Sequence, residues 1–173
     1  MSRGERGSAA ADVVIGAAII VFIILPVFST VMEKYIIFNK AQIIRDAVDM
    51  TNISTYSAIN AGCLGVNLVT LDDEKVEEVY RRLLSENLGL NQNLAPDGQS
   101  IVEGTVSIDS IILYADGFPL SCPDGTVIKR PAVHSSITVP VKPSFYRRVL
   151  LGMLGKEYIE LKMHVDSDIP VNN

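Results

Sequence analysis

The chain reads as an α+β protein in which one long N-terminal helix packs against a small antiparallel β-sheet domain. Three observations predict this. An uncharged apolar run, Val13–Met32, passes without a turn residue into an amphipathic helical pattern. A second, shorter amphipathic pattern follows it. The last seventy or so residues (about 100–170) alternate β-rich runs with Pro/Gly/Asp turns. At 173 residues the chain holds one modest domain plus a membrane segment.

The apolar run comes first. Twenty residues from Val13 to Met32 span about 30 Å as a helix, the thickness of a bilayer's hydrocarbon core. Pro26 predicts a kink rather than a break, because neighbours re-satisfy the freed carbonyl in a membrane helix. Arg3 and Arg6 with Glu5 precede the run, and the neutral pair Glu33-Lys34 follows it. Their balance predicts a cytoplasmic N-terminus, with everything after Met32 outside the cytoplasmic membrane. A secretory signal peptide cut near Val27-Phe28-Ser29 is the rival reading. Against it, helical patterning continues through Ile37, Ala41, Ile44 and Val48, with polar Asn39, Lys40, Gln42, Arg45, Asp46 and Asp49 opposite. One helix is expected from about Ala9 to Ile59, ended by Gly62 and Gly65. At about 75 Å it is far longer than a bilayer requires. The expected organisation is a leader over 1–7, a membrane-spanning part over 8–32, an amphipathic extension over 33–61 and an outer α+β domain over 62–173.

Asp12 stands at the entrance to the apolar helix, behind the small residues Ser8, Ala9, Ala10 and Ala11 and after Arg6-Gly7. A carboxylate at the membrane boundary is costly unless paired, functional, or held at headgroup level where it suits the helix dipole. The segment resembles the class III signal of type IV pilin-like proteins, most closely the TadE-like minor pseudopilins of the tight-adherence (Flp) pilus. The resemblance covers roughly the first third of the chain. It implies cleavage between Gly7 and Ser8 by a prepilin peptidase, with Asp12 as the acid at the fifth mature position. It also implies a pilin-like fold, pairing of Asp12 with a neighbouring subunit's new N-terminal ammonium, and partners among other pilin subunits and the assembly machinery. The family generally has glutamate where this chain has Asp12; the charge is kept but the reach is shorter.

In the outer domain, Leu68–Gly89 predicts a helix opened by a Thr70-x-x-Asp73 capping box, with Val76, Val79, Tyr80, Leu83 and Leu84 inward. Asn91–Ser100 reads as a loop turning at Pro96-Asp97-Gly98. Val102–Tyr114 and Ala132–Val141 read as strands, Pro140 placing the second at an edge or a strand end. Turns are expected at Asp116-Gly117 and Pro123-Asp124-Gly125, and a short helix over Ser144–Leu154 ending at Gly155. Glu157–Val165 alternates Ile159, Leu161, Met163 and Val165 against Tyr158, Glu160, Lys162 and His164.

Functional chemistry is sparse in the sequence. Cys63 and Cys122 both fall on the expected outer side, where they can form a disulfide closing a long loop or remain two free thiols. No CxxC or paired-histidine spacing accompanies them, so no metal or cofactor is expected. His134 and His164 lie on strand candidates, with His164 on a polar, solvated face, and Asp166-Ser167-Asp168 reads as a surface turn. Asn52-Ile53-Ser54 matches a glycosylation sequon but falls inside the expected helix. No phosphate loop or nucleophile elbow is evident, so no enzyme is expected. A net charge of −5 without a Lys/Arg cluster argues against nucleic-acid binding. The expected function is that of a minor pilin or pseudopilin contributing to pilus assembly and surface attachment, in contact with membrane lipid. The alternative is an unprocessed single-pass anchor presenting a binding or adhesive domain.

Overall fold

The computed structural model describes the backbone of residues 3–63, 73–98, 100–143 and 145–169. A helix α1 (Arg3–Ile19) passes through a widened π turn (Ile20–Ile24) into α2 (Leu25–Cys63). Then follow α3 (Asp73–Leu88), β1 (Ser107–Tyr114), β2 (Leu120–Ser121), β3 (Val127–Ile128), β4 (Ala132–Val141), α4 (Phe145–Met153) and β5 (Ile159–Asp168). The α+β arrangement expected from the sequence is present. Gly65 and Thr70 lie outside the described residues.

The π turn lies immediately before Pro26. A proline has no N–H, so the carbonyl one α-turn earlier loses its donor and the ring crowds it. Here the Leu25 N–H reaches back to the Ile20 carbonyl, widening the helix ahead of the proline, and the Thr30 hydroxyl donates to the Pro26 carbonyl at 2.8 Å. From Ala11 to Ile59 the helix is long and apolar enough to cross a membrane, and none of its most apolar stretch is buried. Phe22, Phe28 and Phe38 all stand exposed, as do Val13, Ile23 and Val31. Apolar surface of that extent marks a contact with lipid or protein.

The chain divides into two compact units, residues 1–38 with 142–157, and residues 39–141 with 158–173. In the first unit, α4 ends as expected at Gly155, whose positive φ lets the Lys156 N–H return to the Leu151 carbonyl at 2.9 Å. The second unit is the sheet domain. Its strand order is β1-β4-β5, antiparallel throughout, with β2 and β3 forming a separate two-stranded hairpin.

Period-two alternation assigns the two faces of the sheet. Ile137, Val139, Val141 and Val165 face the core made with Ile44 and Val48 of α2 and Tyr80, Leu84 and Leu88 of α3. The amphipathic half of the long helix is therefore a spine of this domain. Polar groups fix its position: fully buried Asn52 donates to the Ser167 hydroxyl at 2.9 Å and to the Val133 and Val165 carbonyls at 3.3 Å. The sequon asparagine is thus a docking residue. Asn87 of α3 donates to the Thr51 hydroxyl at 2.8 Å and ties the two helices together.

β4 is the central strand, and Pro140 satisfies the strand-end reading because it is the penultimate residue of β4. Its carbonyl accepts from the Glu103 N–H at 3.4 Å, on the side where β1 has already ended. A residue's N–H and C=O share a side in a strand, so the missing donor interrupts no ladder bond. The same proline shortens β1 relative to the Val102–Tyr114 expectation. Gly104 packs so closely that an added Cβ would lie 2.9 Å from the Pro140 Cβ, and residues 102–106 cover the core as irregular chain with Val102 and Val106 buried.

Burial of Tyr80 has a pH consequence. Removal from water pushes its phenol up from 10.0 to about 12, with the Ser135 hydroxyl nearby easing this only partly and outside strict hydrogen-bond geometry. The folded state therefore holds the proton more tightly than the unfolded one. Stability associated with Tyr80 is complete below pH 10 and is lost as pH rises towards about 12. Thermal melts of the detergent-solubilised chain should show this alkaline loss in the native protein and a weaker one in Tyr80→Phe. Parallel loss in both would rule Tyr80 out as the cause.

Candidate functional site

On the face of the sheet opposite the helices, antiparallel register places His134 of β4 directly across from Asp166 of β5. His164 lies two residues before Asp166 and so shares that face. The β2–β3 hairpin turns at Pro123-Asp124-Gly125 as the sequence predicts, with the Gly125 N–H donating to the Cys122 carbonyl at 2.9 Å. This turn lowers Cys122 onto the two histidines. A small apolar cluster of Cys122, Ile128 and Ala132 with Tyr114 and Phe118 surrounds it.

The geometry is convergent. The Cys122 Sγ lies 3.3 Å from His134 Nδ1 and 3.6 Å from His164 Nε2. Asp166 places Oδ1 2.8 Å from the same His134 Nδ1 and Oδ2 3.0 Å from the same His164 Nε2. The four donor groups all lie within 4.8 Å of one another. His164 Nδ1 faces the Asp124 carboxylate, and the Asp124 N–H points at the Cys122 sulfur at 3.4 Å. His134 is buried, and Asp166 and His164 are largely covered, with side-chain exposures of 16% and 28%.

Burial works to raise the Asp166 carboxyl, but the hydrogen bonds and charges of His164 and His134 outweigh it and hold the group below the usual aspartate range. Burial, then the neighbouring Asp166 charge, push the Cys122 thiol up, against a hydrogen bond with the Thr126 backbone.

Two chemistries present themselves for such a set. A cysteine nucleophile needs a histidine that meets the thiol with one ring nitrogen and the carboxylate with the other. His134 does not, since its Nδ1 faces both sulfur and carboxylate. His164 meets the sulfur with Nε2 and the Asp124 carboxylate with Nδ1, but the same Nε2 also faces Asp166. Burial, with the Asp166 charge, also raises the thiol and disfavours the thiolate a nucleophile needs. The four donor groups instead stand close enough together to be able to share a single cation.

This arrangement corrects several sequence expectations. His164 is not a freely solvated histidine, Asp166 belongs to strand β5 rather than a surface turn, and four side chains that the linear spacing did not group stand close enough together to hold a metal ion. Linear spacing hid the cluster because its members come from the hairpin and two strands that meet only through register. Cys122 is a buried free thiol among the described residues, and Cys63 ends the described part of α2 with its side chain outside them, so the Cys63–Cys122 disulfide reading lies outside the described residues. Of the other sequence-predicted residues, Gly7 and Ser8 lie on the α1 backbone, the Ser8 side chain being outside the described set, and Asp12 is exposed one turn further on. Comparison with known protein families, curated proteins and solved structures finds no match for the chain.

Proposed function

We propose that the chain is a minor pilin or pseudopilin of the TadE-like kind, held in the cytoplasmic membrane by one helix with its sheet domain outside. In this reading a prepilin peptidase cuts between Gly7 and Ser8. Asp12 then neutralises the new ammonium of an adjoining subunit within an apolar bundle, where an unpaired charge is strongly unfavourable. The processed subunit contributes to assembly of a tight-adherence pilus and so to surface attachment.

The observation that supports this reading is the division of one helix into two environments. Its first part carries exposed apolar side chains on every side, and its second part supplies Ile44, Val48 and Asn52 to the interior of a folded domain. A simple anchor needs only the first part. A helix bundle that carries outer domains along a filament uses both.

Intact-mass measurement of chain extracted from membranes of cells with an active prepilin peptidase should find Ser8 as the N-terminus. Gly7→Val should leave the precursor uncut and abolish its incorporation into filaments. Met1 retained beside an active peptidase favours the unprocessed anchor with an adhesive domain, and a start near Thr30 favours a cleaved signal peptide.

A further inference from the structure

We propose that Cys122, His134, His164 and Asp166 form a tetrahedral binding site for one zinc ion, which clamps the β2–β3 hairpin to the outer face of the sheet. The inference needs neither a membrane nor a filament and stands apart from the function proposed above.

The distances carry it. Zinc bonds of about 2.0–2.3 Å to sulfur, nitrogen and oxygen in a tetrahedron separate the donor atoms by about 3.3–3.6 Å. The two sulfur–nitrogen separations, 3.3 and 3.6 Å, already have these values. The nitrogen–oxygen separations, 2.8 and 3.0 Å, run to the two different oxygens of Asp166, so the carboxylate must turn to offer one of them to the ion, within a donor set whose atoms all lie within 4.8 Å of one another. Each histidine points a single nitrogen at both the sulfur and the carboxylate, as coordination requires.

Donor type selects the ion. One thiolate, two imidazoles and one carboxylate suit zinc or a related transition metal, whereas calcium and magnesium favour all-oxygen shells. A thiolate beside the Asp166 carboxylate repels it; a divalent cation neutralises both. Outer groups complete the site. The Asp124 carboxylate at His164 Nδ1 fixes ring orientation, and the Asp124 N–H faces the sulfur.

Four protein ligands leave no open position, which assigns the ion a structural rather than a catalytic role. The hairpin has reason to need it. Its strands are two residues each, and the core beneath it consists of Cys122, Ile128 and Ala132 with Tyr114 and Phe118. So short a ladder contributes little stability by itself. A metal bond to Cys122 ties the hairpin to β4 and β5 directly.

The test uses the full chain, purified in detergent under reducing conditions, stripped with a chelator and titrated with Zn²⁺ and Co²⁺. One equivalent of either ion should bind and raise the melting temperature. The cobalt form should show the strong visible bands of a tetrahedral site and a thiolate-to-cobalt charge-transfer band. Cys122→Ser should remove the charge-transfer band. His164→Asn, at the more exposed side of the cluster, should weaken zinc binding by more than about a hundredfold, and Asp124→Asn by about ten- to a hundredfold. Absence of stoichiometric binding, a cobalt spectrum without thiolate character, or unchanged affinity in both Cys122→Ser and His164→Asn overturns the proposal. A Cys63–Cys122 disulfide in the native chain overturns it as well, because it removes the sulfur ligand.

Discussion

Replacing Asn52 by aspartate is expected to destabilise the sheet domain by about 4 kcal/mol at neutral pH, as an uncompensated buried charge does. Asn52 is fully buried, and its amide donates to two backbone carbonyls and the Ser167 hydroxyl. Its own Oδ1 has no partner among the described residues. Aspartate removes the donor and sets oxygen against the Val133 and Val165 carbonyls, with the Asp49 carboxylate bonded to the same Ser167 hydroxyl. The folded state must then exclude the charge by keeping the new carboxyl protonated, so its pKa rises above the unfolded value of about 3.9. The sign follows from that. The penalty is smallest below about pH 4 and grows as pH rises through the raised folded value. Against a total stability of about 5–15 kcal/mol for a domain, a loss of this size shows clearly in thermal melts. Melts of the native and Asn52→Asp chains from pH 4 to 8 measure it. A constant difference across that range would show that the lost amide bonds, not the buried charge, set the cost.

Leu84→Ala is expected to cost about 3 kcal/mol at all pH values, through a cavity rather than a charge. Leu84 is completely buried in the cluster where α3 meets Ile44 and Val48 of α2 and Val139 of β4. Helices and a central strand surround it, so the site has little freedom to collapse and the full cavity term applies. Denaturant unfolding of the detergent-solubilised chain should show a lower midpoint with an unchanged slope. A cost below about 1 kcal/mol would mean that α3 slides to fill the space. Zinc affinity should be retained, since the proposed site lies on the other face of the sheet.

The two variants address the helix-packed side of the domain, which is also the side most legible from sequence. Ile44, Val48, Val76, Tyr80 and Leu84 follow helical spacing, and their burial follows from it. Alternation in β5 divided its residues correctly between the faces. Gly89 and Gly155 marked helix ends because each occupies the positive-φ position that closes a helix. Val102–Val106 misled because β-branched composition reports a preference for extended chain, whereas Gly104 against Pro140 sets where the ladder begins.

By itself, then, the sequence determined the elements and their inner faces: a helix with an apolar half, a second helix, and strands whose periodicity requires a sheet. These are properties of neighbours along the chain, and periods of 3.6 and 2 expose them directly. Only the tertiary structure decided that β4 lies between β1 and β5, that Asn52 reaches through to two strands, and that Cys122, His134, His164 and Asp166 converge. Those facts depend on register and on where a hairpin folds back. A shift of one residue in β5 would turn His164 and Asp166 to the other face and dissolve the site without changing its local pattern.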